Sequence, residues 1–405
     1  MRALPLSRDE HLVMIPPAKT KKPRDQRLDF FRGICLYFIF IAHTPGNGLI
    51  EFIPARFGFS DATEIFVFCS GMASAIAFGG VFVSHGWLTG TGRILYRIWQ
   101  VYWAHLGVFL IFAALVFGYD LYKGATDAAR AVNLHPLLED PRRAFPALVT
   151  MTYLPWFLDI LPMYLVILAL VPLAVLLKRS SLAACAVISI ALWGAAQAGY
   201  LAIPGDPWAG AAWYFNPFGW QLLFFLGFAW MQGWIAPPPV ERRLVLGAAA
   251  LTLITVPFAT LRLSELWGPL QAAADFLFLF QDKGSLGPLR LAHFMAIAYL
   301  AYAACGEGGR NLRGGFVALM RKTGTQSLPV FLSGVILSRA VTFLYQEFGT
   351  GLAQDLIFNA LAFAAIIAVV TIAAWFRGEP WSKPPAAGEA RGSAGIAAEA
   401  EFKAG

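Results

Sequence analysis

The sequence predicts an all-α polytopic membrane protein with about ten transmembrane helices and both termini in the cytoplasm. Three observations carry this. Only 14% of its 405 residues are charged and 58% are hydrophobic, whereas a soluble chain of this size carries about a quarter charged residues. Apolar runs long enough to cross a bilayer recur from one end to the other, a crossing needing about 20 residues. Lys and Arg gather in short clusters between those runs, as they do in cytoplasmic loops. The net charge of +7 is therefore topogenic, and a nucleic-acid partner is excluded.

The apolar runs place helices at roughly 29–50, 60–82, 99–118, 159–177, 182–201, 217–235, 244–261, 288–305, 328–347 and 352–376. Residues 1–27 form a basic cytoplasmic segment with no apolar core of a signal peptide. Residues 28–377 form the membrane domain. Residues 378–405, rich in Pro, Ala, Gly and Glu, have no apolar face to bury and are expected to be a disordered cytoplasmic tail.

The basic clusters fall on every second loop. Lys19, Lys21, Lys22, Arg24 and Arg27 precede the first helix, Arg93 and Arg97 follow the second, and Lys178 and Arg179 follow the fourth. Arg242 and Arg243 follow the sixth, Arg310, Arg313, Arg321 and Lys322 the eighth, and Arg377 and Lys383 the tenth. This alternation puts the long connection, about 119–158, on the periplasmic side. Its later part, FPALVTMTYLPWF, suggests an interfacial or re-entrant lid. The four cysteines, Cys35, Cys69, Cys185 and Cys305, lack metal-site spacing, so no metal is expected. Phosphate-loop, dinucleotide, zinc-protease and nucleophile-elbow motifs are all missing.

Chemistry concentrates on the first helix. Asp29 and Arg32 stand at its cytoplasmic end, and His43 stands ten intervening residues beyond Arg32. An eleven-residue step turns about 1100°, close to three full turns, and rises about 16 Å. Arg32 and His43 thus share one face near opposite membrane surfaces. Ionisable residues within a span mark function by default. A cation that holds an anionic donor and a base that activates an acceptor are what group transfer across a bilayer requires. The plainer alternatives are an Arg32 that snorkels or pairs with Asp29, and an interfacial His43 bonded to a carbonyl.

Other polar residues cluster at the depth of His43. Asp61 and Glu64 open the second helix on one face, where either could orient the imidazole; Asp61 equally suits an N-cap. Ser70, Gly71, Ala73, Ser74 and Ala75 follow and suit close helix packing. Asp159 begins the fourth helix. Asn216, Trp220 and Gln221 form a polar-aromatic group suited to a sugar ring, and His293 lies near the outer end of the eighth helix. Arg339, inside the ninth, needs an acidic partner, with Glu64 and Asp159 as candidates, or an anionic ligand.

The run Arg27-Leu28-Asp29-Phe30-Phe31-Arg32-Gly33 followed by His43 resembles the first-helix signature of the integral-membrane O-acyltransferase superfamily, Arg, ten residues, then His. Phe68-Cys69-Ser70-Gly71 looks like its second-helix element. The match is closer to the OpgC family of osmoregulated periplasmic glucan succinyltransferases, through residues 24–29, Asp61 to Gly71, Leu161-Pro162-Met163-Tyr164, Asn216-Pro217-Phe218 with Trp220-Gln221, and Ser327-Leu328-Pro329-Val330-Phe331. The resemblance spans the chain apart from its tails. It implies a multi-pass enzyme of a bacterial inner membrane that moves an acyl group, succinyl, from cytoplasmic acyl-CoA to hydroxyls of a periplasmic glucan or related polysaccharide. Acyl-CoA is then a co-substrate, with no tightly bound cofactor, and membrane lipid and glucan are the other partners. The family's essential pair maps onto Arg32 and His43. The competing class is a secondary transporter or flippase for a glycan or lipid-linked precursor. Against it, no internal repeat is visible and the charged groups lie toward helix ends.

Overall fold

A computed structural model describes residues 25–259 and 267–382. Each of the ten expected segments contains a helix: α1 (Gln26–Ala42), α2 (Ala62–Ser84), α3 (Gly86–Lys123), α4 (Ile160–Ser180), α5 (Leu182–Gln197), α6 (Pro217–Met231), α7 (Arg242–Thr255), α8 (Pro288–Cys305), α9 (Ser327–Phe348) and α10 (Leu352–Arg377). Among the described residues, strand pairing is confined to two short antiparallel segments, Pro204–Asp206 and Ala211–Ala212. Six helices, α2, α3, α4, α8, α9 and α10, are long and apolar enough to cross a membrane. The chain is thus an all-α multi-pass membrane protein. The other four hold 14 to 17 residues, and at 1.5 Å per residue they fall short of a hydrocarbon core of about 30 Å. The expected basic residues Lys19, Lys21, Lys22, Arg24 and Lys383, the tail beyond Ser382 and residues 260–266 lie outside the described residues.

Two boundaries differ most from expectation, for local reasons. α1 stops at Ala42 rather than near residue 50. Pro45 lacks the N–H that a continuing helix needs, and Gly46 sits at φ +90°, so the run TPGNG turns the chain. The Thr44 hydroxyl donates to the Phe40 carbonyl (2.7 Å) and seals the end. α3 begins at Gly86 rather than 99, because no proline interrupts GWLTGTGRILYR.

The connection between α3 and α4, expected as a lid, is a packed cap. It holds three short helices, Asp127–Ala131, Pro136–Glu139 and Pro141–Val149. Asp120 accepts the Ala128 and Ala129 N–H groups at 2.9 and 2.8 Å, and Ala129, Val132, Leu134, Ala144 and Tyr153 are completely buried.

α1 lies against α2, α9 and a short helix, Gly315–Thr325, that follows α8. α2 packs on α6 through glycine. A Cβ on Gly71 would stand 2.0 Å from the Phe224 carbonyl oxygen, and one on Gly227 would stand 2.3 Å from that of Phe68. The small residues expected in α2 therefore bring two backbones together. Past this contact α2 loosens into a π turn, Ala75–Gly79, and Gln232 donates to the Ala75 carbonyl (2.6 Å).

Contacts between helix ends sort the chain into two poles. At one, Arg27 reaches the Gly306 carbonyl, Arg179 the Phe82 carbonyl, and Arg377 the Thr325 carbonyl. At the other, Asn47 meets Asn359, Gly48 and Tyr345 bond Asp355, and Lys123 and Tyr119 bond Glu347. The first holds the basic clusters and is called the arginine pole; the second is the histidine pole.

Candidate active site

α1 connects two polar cavities. At the arginine pole a cavity of about 580 Å³ is lined by Arg32, Arg93, Arg97 and Arg377, with Gln100, Tyr164, Thr325 and Ser327. Among the described residues four guanidiniums and no carboxylate line it, a lining that suits an anionic group. The π turn of α2 contributes Ala77 and Phe78 to the wall. Arg32 donates to the Ser327 hydroxyl, which fixes the guanidinium at the start of α9. Asp29, expected beside Arg32 in donor binding, is buried and does not line this cavity; its carbonyl is pressed against Gly324. The convergence of Arg93, Arg97 and Arg377 on Arg32 could not be read from the sequence, because it needs α3 and α10 to meet α1.

At the histidine pole a cavity of about 270 Å³ is lined by His43, Asp61, Thr63, Arg56 and Lys283, with apolar residues of α1. His43 is the first residue beyond α1, and its backbone N–H bonds the Ile39 carbonyl (3.0 Å). Its Nδ1 is shielded from solvent and makes no hydrogen bond to a described residue. Asp61, Lys283 and Arg339 lie within its electrostatic reach. The Phe157 ring stands edge-on to the imidazole, with centroids 5.2 Å apart.

The two carboxylates expected to orient His43 are committed elsewhere. Asp61 is the N-cap of α2: its Oδ1 accepts the Thr63 N–H (2.8 Å), while its own N–H donates to Glu64 Oε2 (2.8 Å). This reciprocal capping box satisfies two helix-end donors. The remaining oxygens meet cations. Lys283 Nζ lies 2.7 Å from Asp61 Oδ2, and Arg290 lies 3.1 Å from that oxygen and 2.6 Å from Glu64 Oε1. Burial works to raise the Asp61 carboxyl, but Lys283 and Arg290 overcome it and hold it well below the usual carboxylate range. Asp61 thus shares the cavity with His43 without bonding it, and Glu64 is completely buried behind it.

The polar-aromatic group of α6 has a different task from the sugar platform expected. The Trp220 indole N–H donates to the Lys283 and Gly284 carbonyls (3.0 and 3.1 Å). The Asn216 backbone N–H donates to the Gly284 carbonyl, and its side chain caps α6 and bonds the Leu201 carbonyl. Gln221 is completely buried and spends its amide on Ser189 and the Phe218 carbonyl. With Gln197 and Trp193 holding Ser285 and Leu286, these residues form a clamp that carries Lys283 into the cavity. No side-chain face of Trp220 or Gln221 is left for a ligand.

His293 is buried and accepts from the Ser60 N–H (3.1 Å) and meets its hydroxyl (2.8 Å), so it pins the chain entering α2. Asp159 stands at the N-terminus of α4 without capping it. Burial pushes its carboxyl up to about 6, against the attraction of Lys283. Arg339 reaches neither Glu64 nor Asp159; its guanidinium lies over the Phe157 ring, 4.9 Å from the centroid. His43, Asp61, Lys283, Asp159, Phe157 and Arg339 therefore gather at one pole, whereas Asn216, Trp220, Gln221 and His293 support it. Lys283, Arg290 and Phe157 were missed. The available signal for the cations was the acid pair itself, since carboxylates three residues apart at a span's end demand counter-charge. Among the described residues, no group of three or more His, Cys, Asp or Glu could hold a metal ion.

Comparison with curated proteins and with solved structures finds no match. Comparison with protein families does: residues 24–378 match the family described as OpgC protein. That stretch runs from just before α1 to the end of α10 and takes in both cavities, and the chain belongs to the OpgC family.

Proposed function

We propose that this protein is an inner-membrane O-acyltransferase that moves a succinyl group from cytoplasmic acyl-CoA to hydroxyls of a periplasmic glucan. The observation that carries the reading is the pair of cavities at opposite ends of α1, one bearing Arg32 among four arginines, the other His43. Family membership implies a transferase. The basic clusters favour a cytoplasmic arginine pole and a periplasmic histidine pole.

In this reading Arg32, Arg93, Arg97 and Arg377 hold the phosphates of the donor. The acyl thioester extends toward His43. The imidazole takes the proton from a sugar hydroxyl as its oxygen attacks the thioester carbonyl. Lys283, tied to Asp61, faces the negative charge that builds on the carbonyl oxygen. The new C–O bond forms, the C–S bond breaks, and the thiol leaves with the proton.

The test is membranes bearing the protein, radiolabelled succinyl-CoA and purified glucan, with mass spectrometry of the product. Label on the glucan, dependent on the protein, supports the reading. No turnover, together with counterflow of glycan, would replace it with transport. Arg93→Gln and Arg97→Gln are expected to raise the KM for acyl-CoA about tenfold each and leave kcat unchanged. Each removes one charge-assisted contact to a phosphate present equally in ground and transition states. A fall in kcat at constant KM would count against a donor site there.

A further inference from the structure

Arg339 is a buried cation with no counter-charge among the described residues. It is 6% exposed, and its Nε is shielded from solvent and unbonded. It makes no hydrogen bond or ion pair to any described residue. Its surroundings are rings: Phe157 at 4.9 Å, Phe112 at 5.7 Å and Phe343 at 6.0 Å. Ring faces attract a guanidinium weakly but offer no acceptor to its five N–H groups. Burying a cation is costly unless an anion answers it. The carboxylates nearby are spoken for: Asp61 by Lys283 and Arg290, Glu64 by Arg290. Asp159 makes no ion pair with Arg339.

Phe157 joins this cation to the reacting end of the site. One ring touches both Arg339 and the His43 imidazole, at 4.9 Å and 5.2 Å, so those two distances together bound the separation of the groups at about 10 Å. Phe157 holds φ +73°, a conformation that side-chain-bearing residues rarely adopt. A strained residue that sets the spacing between a histidine and an unanswered arginine is characteristic of a binding site. A succinyl group presents its free carboxylate two methylenes beyond the thioester carbonyl. With the attacking hydroxyl between imidazole and carbonyl and hydrogen bonds of about 3 Å at each end, such a group spans a distance of this size.

We propose that Arg339 receives the free carboxylate of the acyl group and so selects dicarboxylic over neutral acyl donors. The proposal rests on the acyl-transfer reading above. Arginine suits the task because its planar fork takes a carboxylate by two parallel bonds.

The experiment compares succinyl-CoA with butyryl-CoA, its neutral counterpart of like length, in membranes carrying the unaltered protein, Arg339→Met or Arg339→Lys. Methionine keeps an unbranched apolar side chain among the phenylalanines. The unaltered protein is expected to prefer succinyl-CoA. Arg339→Met is expected to lower kcat/KM for succinyl-CoA on the order of 30- to 100-fold, the loss typical of an unpaired charged partner, and to leave butyryl transfer unchanged or raised. Arg339→Lys is expected to keep part of the preference. Equal losses on both donors would overturn the proposal and leave Arg339 a structural or oxyanion-stabilising group, with acyl transfer intact. No transfer of either donor by the unaltered protein would overturn the acyl-transfer reading and this proposal with it.

Discussion

His43→Ala is expected to abolish glucan modification while leaving the protein inserted and folded. The imidazole is the basic group in the cavity of the histidine pole with an unbonded ring nitrogen, and Asp61 beside it is already saturated by Lys283, Arg290 and the Thr63 N–H. Removing a general base costs on the order of 10²- to 10⁴-fold in rate, so the fall should appear in kcat with the acyl-CoA KM nearly unchanged. The fold should tolerate the change. His43 is only partly buried and lies just past α1, where its backbone N–H closes the helix and its ring bonds no described residue. Alanine therefore strands no partner. The contrast with Arg32 is diagnostic: Arg32→Gln should weaken donor binding, whereas His43→Ala should stop chemistry on bound donor. The check is single-turnover transfer from labelled succinyl-CoA at saturating donor, with thermal denaturation of the detergent-solubilised protein as control. Transfer by a stable His43→Ala protein at more than a tenth of the normal rate would remove His43 from the mechanism.

What the sequence made legible follows from which forces act locally. Apolar runs dictate helices, so all ten expected segments contain one. Asp61 could be read as an N-cap because a cap needs only its own turn of helix, and the structure adds Glu64 as the other half of a capping box. Arg32 and His43 could be read as a pair because one helix fixes their spacing. Where several elements had to meet, the sequence was silent. Lys283 reaches the cavity only because Trp220 and Asn216, distant in sequence, clamp its loop. That tertiary use turned a plausible sugar platform into a buttress. The four-arginine cavity needs α1, α2, α3, α9 and α10 together. Phe157 could not be singled out, since nothing in PWFLD announces a positive φ.

The second large effect should come from Arg290, and it should be structural. Arg290 places Nε 2.7 Å and Nη2 2.6 Å from Glu64 Oε1, and Nη2 3.1 Å from Asp61 Oδ2. Glu64 is completely buried, and its other oxygen takes the Asp61 N–H. Lys283 can answer Asp61 but shows no bond to Glu64. Arg290→Met would therefore leave one carboxylate buried at the head of α2 with its cation gone. Removing one partner of a buried pair costs about 3–5 kcal/mol, far more than the pair is worth against an apolar replacement. The expected result is a marked fall in folded yield and in the midpoint of thermal denaturation in detergent. Adding Glu64→Gln to Arg290→Met should recover more than half of the loss, because the amide keeps an acceptor for the Asp61 N–H and carries no charge. Glu64→Gln alone should cost less than Arg290→Met alone. Strictly additive losses in this double-mutant cycle would show that the two residues are not coupled. A rescued double variant that still modifies glucan would in addition separate the two roles at this pole: Arg290 and Glu64 hold α2 in place, and His43 with Lys283 acts on the substrate.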